Sequence, residues 1–387
     1  MTSLRSALKS ATALAAFSLS FPLASWAEEP LPVVATFSIL GDMVERIGGE
    51  HIALTTLVGP DGDAHVYQPT PKVARSVAEA DVLFLNGLEF EGWLERLAEA
   101  ASFGGAMVVA TKGVVPIAFD DHDDHDDHDD HDDHDDHDDH DDHDDHDEHD
   151  DHDDHAEHDD HDDHDKHDDH DDHADHDDHD DHEKHDDHDD HDDHDEHDEH
   201  DDHDDHAGHD HGAFDPHAWQ SLENAVIYAN NIAAGLAQAD PENAGDYYAN
   251  RAAFITEVET LRADIGAMMK SLPADKRTVV TPHDAFGYFA ATYDLTFVAP
   301  QGMSTESEAS AGDVAALITQ IREDSISAVF IESITDNRMM QQIANETGAT
   351  IGGTLYSDAL SAQSGPASTY LDMMRHNATT LFDALGN

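Results

Sequence analysis

The chain has 387 residues and a formal net charge of −73 at pH 7, which argues against nucleic acid as a partner. It contains no cysteine, so disulfides, thiolate metal sites and a lipid-bearing cysteine are excluded within this sequence. Most of the charge sits in one segment, Asp120 to His211, which holds 31 of the 36 histidines and 55 of the 90 acidic residues. The remainder, with 35 acidic and 15 basic residues, is an ordinary, moderately acidic chain long enough for two domains.

Residues 1–27 read as a secretory signal. Arg5 and Lys9 give a positive start, Ala11 to Leu23 is largely apolar, and Ala24-Ser25-Trp26-Ala27 offers small residues for cleavage after Ala27. The apolar run is short for a ~30 Å hydrocarbon core, and no later run reaches ~20 apolar residues. The periplasm is the simplest destination, and secretion into the medium is the other one.

Past the signal, Pro32 to Phe37 reads as a strand, followed by a helical pattern that Gly48-Gly49 ends. Ile52 to Val58 is a second strand, Pro71 to Ala80 a helix with proline at its start, and Asp81 to Leu85 and Ala106 to Ala110 two further strands. Strands separated by helical stretches imply a parallel sheet covered by helices.

The acidic tract then interrupts this lobe. Thirty histidines recur every third residue from His122 to His209, a period that fits neither a helix face nor a strand. With no apolar group to offset chain entropy, residues 120–211 are expected to be disordered.

From Pro241 to Leu272 the apolar residues Phe254, Val258, Leu261, Ile265, Met268 and Leu272 step by four and three. This predicts one long helix, with Asp240 as N-cap and Pro241 at the first helical position, placed to join two lobes as a strut. Strands at Arg277 to Thr281, Leu295 to Ala299, Ala328 to Ile331 and Thr350 to Gly352 follow. Between and after them come helices at Ala285 to Tyr293, Gly312 to Asp324, Asp336 to Thr347 and Ser368 to Leu385. The expected architecture is α/β. A lobe of residues 28–240 and a lobe of residues 273–387, each with a parallel sheet flanked by helices, are joined by the helix 241–272.

Five histidines lie outside the tract: His51, His65, His217, His283 and His376. His65, His217 and His283 stand in loop-like contexts beside strand or helix ends, where parallel α/β lobes present binding groups. Their surroundings are Asp63-Ala64-His65-Val66-Tyr67-Gln68-Pro69-Thr70-Pro71, Asp215-Pro216-His217-Ala218-Trp219 and Pro282-His283-Asp284-Ala285-Phe286-Gly287-Tyr288-Phe289. In order and spacing these blocks resemble the ZnuA-type binding proteins of zinc ABC transporters. Asn86 to Leu94, Ser304 to Ser310, Phe330 to Ser333 and Leu355 to Ser361 extend the resemblance over the mature chain apart from most of the tract.

The resemblance implies a metal in the cleft between the lobes, with His65 and His217 from the first lobe and His283 from the second. Asp358 matches the family's late aspartate and is the fourth ligand it implies; a glutamate near the first histidine, water, or less readily Asp63 are the alternatives. Glu89, Glu91, Glu306 and Glu308 could orient ligand imidazoles, although capping and surface pairing suit each of them singly. His51 and His376 lack matching motifs and read as surface or packing residues.

Three imidazoles and a carboxylate suit four-coordinate Zn²⁺. Relatives that carry manganese tend to have a carboxylate in the place of His283, a harder donor that suits that ion. The resemblance therefore implies capture of zinc for a membrane ABC permease with a separate ATPase, a periplasmic metallochaperone being a further possible partner. The protein is expected to be monomeric. Manganese or another divalent metal, or a zinc buffer or chaperone acting through the tract, are the competing readings. In the tract an extended chain sets successive histidines about 10 Å apart, so each ion must fold the chain locally and each such site should be weaker than a preformed cleft. Enzymatic use of zinc is not expected, since no His-Glu-x-x-His segment exists and four protein ligands leave no open position for water.

Overall fold

Leu31–Phe37 (β1) is a largely apolar run, with Val33, Val34, Thr36 and Phe37 as its strand formers, buried on both faces from Val33 onward, as a central parallel strand requires. It pairs on one side with Ile52–Val58 (β2) and on the other with Val82–Leu85 (β3), and β3 pairs with Ala106–Val109 (β4). All are parallel, in the order β2-β1-β3-β4. A second parallel sheet comprises Thr278–Val280 (β5), Thr296–Val298 (β6), Ala328–Glu332 (β7) and Thr350–Leu355 (β8), in the order β6-β5-β7-β8. The computed structural model describes residues 29–118 and 214–386. Cleavage after Ala27 and the disorder expected of residues 120–211 lie outside the described residues.

In each sheet the chain reverses direction of travel beside its first strand, between β1 and β3 and between β5 and β7. Such switch points leave crevices at the carboxyl ends of the strands. The helices that cover the sheets follow from local chemistry. Ser38–Gly48 (α1) buries Ile39, Leu40, Met43, Val44 and Ile47 at helical spacing and stops at Gly49, whose φ of 59° favours glycine. Pro71–Ala78 (α2) starts with proline and is capped by Thr70, whose hydroxyl accepts from Val73 N. Leu94–Ala101 (α3) completes the first lobe's early helices. The second lobe carries Gly287–Tyr293 (α6), Ala311–Glu323 (α7), Arg338–Thr347 (α8) and Tyr370–Leu385 (α9). Ser310 and Asp313 form a reciprocal capping box at the start of α7.

Leu222–Ala239 (α4) packs on β3 and β4 of the first lobe, and Ala244–Lys270 (α5) follows it toward the second. The long helix starts at Ala244, not at Pro241. Asp240 does not cap it; this residue follows α4, and its carboxylate accepts from Asn243 Nδ2 (2.8 Å) and the Tyr247 hydroxyl (2.6 Å). Burial alone would raise that carboxyl, but these hydrogen bonds hold it below its usual value. The buried stripe of α5 ends on Met269 rather than Met268, because a four-residue step from Ile265 stays on the stripe. Over its length of about 40 Å, α5 packs against α1, α4, α6 and α9. One continuous apolar core runs from the first sheet through α4, α5 and α9, while Leu317, Ile321, Val329, Met340 and Ile343 form a smaller core under α7 and α8. No helix among the described residues is long and apolar enough to cross a membrane.

The two segments that flank residues 119–213 meet. Ala118 and Phe214 form an isolated antiparallel bridge, and Asp215 N donates to Ile117 O (2.9 Å).

Another contact between distant segments has a measurable pH signature. Asp42 on α1 accepts from Tyr370 N at the start of α9 (2.9 Å). Burial pushes its carboxyl up to about 6, against the opposing effects of Tyr370 N–H and Arg46. The folded state therefore favours the protonated form. The stability this group contributes is fully present below its ordinary value of 3.8 and is lost as pH rises through about 6. Asp42→Asn should stabilise the protein by roughly 1–3 kcal/mol at pH 7.5 and by almost nothing at pH 4. Urea denaturation at the two pH values measures this, and an equal gap at both would refute it.

Candidate metal centre

His65 follows β2 in a loop fixed at several points. Asp63 Oδ1 accepts His65 N (2.9 Å), Asp63 Oδ2 accepts the Thr305 hydroxyl (2.6 Å), and Trp93 Nε1 donates to Ala64 O (2.8 Å). His217 stands in the turn before α4. Asp215 Oδ1 accepts its main-chain N (2.8 Å) and lies 2.8 Å from its Nδ1. Gly287 makes room for this carboxylate: a Cβ there would sit 2.5 Å from Asp215 Oδ2. His283 follows β5 at the second sheet's switch point, and Glu332 ends the neighbouring β7. His283 N donates to Glu332 Oε1 (3.2 Å), and Nδ1 lies 2.6 Å from Glu332 Oε2. Asp358 lies in the loop after β8.

The structure brings His65, His217, His283 and Asp358 together. One ligand-capable atom from each lies within 4.8 Å of all the others. Asp358 Oδ2 is 3.3 Å from His65 Nε2 and 3.1 Å from His283 Nε2, and Asp358 Oδ1 is 3.5 Å from His217 Nε2. A tetrahedral site with bonds of ~2.0–2.2 Å has edges of about 3.3–3.6 Å. The carboxylate–imidazole spacings are close to such edges.

Burial is complete for His217, His283 and Asp358. His65 Nε2, His217 Nε2 and Asp358 Oδ1 are buried without a hydrogen-bond partner. Orphaned polar atoms of this kind cost free energy unless something occupies the space between them. The carboxylates behind His217 and His283 meet Nδ1 and turn the Nε2 side of each ring inward, where a metal cation would take the place of a proton. Phe37, Phe90 and Trp219 pack edge-on or tilted against one another. Phe90 lies against His65 (4.9 Å between centroids), and Trp219 against His217 (5.3 Å), so apolar rings back the cluster.

The charge state follows from these neighbours. Burial would lower the His283 imidazole, but the Glu332 and Asp358 carboxylates outweigh it and hold it well above its usual value. His217 is likewise raised, because Asp358 and Asp215 outweigh its burial. Burial would raise Asp358, yet the two imidazoles hold it well below the carboxylate range. Asp284, beside His283, is pushed up by burial and by the Asp215 charge. Three carboxylates, Asp358, Asp215 and Glu332, thus surround the imidazoles and attract positive charge.

The orienting carboxylates differ from those expected. Glu89, Glu306 and Glu308 are exposed. Glu91 is buried but accepts from the Thr36 hydroxyl (2.6 Å), Asn86 N (2.7 Å) and Gly87 N (3.2 Å) and meets no imidazole. It braces the turn in which Leu88 and Glu89 have positive φ, and burial raises its carboxyl. Asp215 and Glu332 stand behind the rings instead. A signal for each exists in the sequence: Asp215 is two residues before His217, and Glu332 closes a buried apolar strand where a charge needs a partner. Asp63 is taken up by His65 N and Thr305. His51 pairs with Asp246 (3.0 Å) and His376 with Thr354 O (3.0 Å), both apart from the cluster.

Known proteins share this architecture and much of this sequence pattern. The manganese-binding lipoprotein MntA of Halalkalibacterium halodurans is 25% identical over 358 residues, covering 92% of this chain and 89% of that protein. The iron-binding protein YfeA of Yersinia pestis is 26% identical over 354 residues, 92% of this chain and 86% of that one. The solved structure of the periplasmic zinc binding protein TroA from Treponema pallidum superposes with a TM-score of 0.66 at 22% identity. It covers 92% of this chain and 99% of that chain, a likeness of fold alone. The family model described as zinc-uptake complex component A, periplasmic (ZnuA), matches residues 33–384. With both lobes and all four clustered side chains inside that match, the chain belongs to the ZnuA family of periplasmic metal-binding proteins, the solute-binding components of ABC transporters.

Proposed function

We propose that this protein captures zinc in the periplasm and delivers it to an ABC permease driven by a separate ATPase, with His65, His217, His283 and Asp358 as the ligands. The observation that carries this reading is the convergence of four buried ligand atoms within 4.8 Å, with His65 Nε2, His217 Nε2 and Asp358 Oδ1 lacking a hydrogen-bond partner. Three imidazoles with one carboxylate favour zinc over manganese, which prefers harder oxygen donors. The signal is cleaved after Ala27, and the mature protein acts as a monomer. A periplasmic metallochaperone is a further partner of the same chemistry. The His/Asp tract serves as an auxiliary collector of weaker sites.

A second reading has its own support. Both oxygens of Asp358 face imidazoles, Oδ2 toward His65 and His283 and Oδ1 toward His217. A carboxylate binding through both oxygens exceeds four-coordination and accommodates manganese or iron, the metals for which MntA and YfeA are named. Competitive titration of a variant lacking residues 120–211 separates these readings. The expected result is one tight site that prefers zinc to manganese, with several weak sites lost relative to the full chain. Manganese preference would establish the second reading. Loss of every tight site would reject the cleft and leave a buffer acting through the tract.

A further inference from the structure

Asp358 follows β8 and belongs to the second lobe by chain order, yet its loop is tied to the first. The Ser357 carbonyl accepts from Trp219 Nε1 and Gln220 Nε2, both at 2.8 Å. Leu360 N donates to Ser38 Oγ (2.9 Å), Leu360 O accepts from Asp61 N (2.8 Å), and Ala362 N donates to Asp61 Oδ2 (3.2 Å). Where the loop enters α9, the Tyr370 hydroxyl donates to Trp219 O (2.8 Å). Residues Ser357, Asp358, Ala359, Leu360 and Ser361 are all at most 4% exposed.

The turn that carries His283 is held in the opposite way. Its main-chain N and its ring both meet Glu332. Its carbonyl accepts from the Thr281 hydroxyl (3.1 Å) and Ala285 N (3.2 Å), and Asp284 N donates to Gly302 O (3.2 Å). All of these partners are second-lobe residues. The boundary runs through Ser357, whose carbonyl faces Trp219 and Gln220 while its hydroxyl donates to Glu332 Oε2 (2.6 Å).

We infer that the ligand set divides three to one. His65, His217 and Asp358 form a preassembled half-site on the first lobe, and His283 is the only ligand carried by the second. Trp219, Gln220 and Asp61 are positioning residues: they touch no metal and hold the Asp358 loop. This rests on the reading of the four side chains as metal ligands. Its consequence is an order of events. Moving the lobes apart withdraws one imidazole and leaves the ion on two imidazoles and a carboxylate, so release begins at His283 and capture ends there.

Amide hydrogen exchange on the full chain, stripped of metal and then given one equivalent of zinc, tests the division. Residues 357–362 should already be protected without metal and change less than about twofold on zinc addition, whereas residues 281–286 should slow by about tenfold or more. Fast exchange of 357–362 in the metal-free protein, slowed by zinc, would overturn the inference. In Gln220→Met the metal-free exchange of 357–362 should rise about tenfold with 281–286 unchanged; no rise would remove Gln220 from the role. Asp61→Gly, at an exposed position whose φ of 56° suits glycine, gives the same readout should the buried variant fold poorly. Absence of any zinc-dependent slowing around His65, His217 and His283 would overturn the metal reading itself, and it is read separately from loop protection in the metal-free protein.

Discussion

In a variant lacking residues 120–211, His283→Ala is expected to weaken zinc binding by at least about tenfold, because removing a group that only orients a metal-bound imidazole already costs ~10–100-fold. The alanine leaves the other three side chains in place, still buried and still backed by Phe90 and Trp219. Competition with a chromophoric chelator measures the loss directly. Affinity equal to that of the parent variant would exclude His283 from the site and, with it, the cleft as drawn.

The second large effect belongs to Glu332. This carboxylate is 1% exposed and collects the His283 main-chain N, its ring and the Ser357 hydroxyl. Glu332→Gln keeps an oxygen acceptor but removes the charge behind the ring, so it isolates electrostatics from shape. Zinc affinity should fall by roughly 10–100-fold. Glu89→Gln and Glu306→Gln, at exposed carboxylates without an imidazole contact, should leave it unchanged. Equal behaviour of all three variants would show that Glu332 braces the strand end and nothing more.

How far the sequence reached depended on the kind of signal. Apolar runs located β1 to β8 to within a few residues; burial gives the inner strands β1, β3, β5 and β7 a dense local mark, and the edge strands β2, β4, β6 and β8 keep apolar residues although they are partly exposed. The helix α4 went unread because alanines carry much of its buried face, alongside Leu222, Tyr228, Ile232 and Leu236, and alanine contrasts weakly with its surroundings. The start of α5 was misplaced because Asp240-Pro241 looks like a cap and a first turn, whereas the carboxylate is engaged by Asn243 and Tyr247. His65, His217 and His283 stood out by their loop positions, and resemblance added Asp358. Asp215 and Glu332 both lie within motif blocks, yet the residues expected to orient imidazoles are Glu89, Glu91, Glu306 and Glu308. Asp215 reaches His217 from two residues away, a local signal, whereas the role of Glu332 depends on β5 lying beside β7, which no local pattern records. The tethering of the Asp358 loop to Trp219, Gln220 and Asp61 spans more than a hundred residues of sequence and has no local trace at all.

The bridge between Ala118 and Phe214 bears on how this protein tolerates its insertion. Because the two ends already meet, residues 119–213 form a closed excursion whose length is decoupled from the body of the protein. The entropy of closing such an excursion rises by only about 0.6 kcal/mol for each doubling of length. Repeats could be gained or lost in multiples of Asp-Asp-His without straining either sheet. His217 lies three residues beyond the bridge, fastened by Asp215, so changes in repeat number stop at Phe214 and do not move this imidazole. Variation in the length of the insertion among close relatives would then leave both sheets and the four clustered side chains untouched.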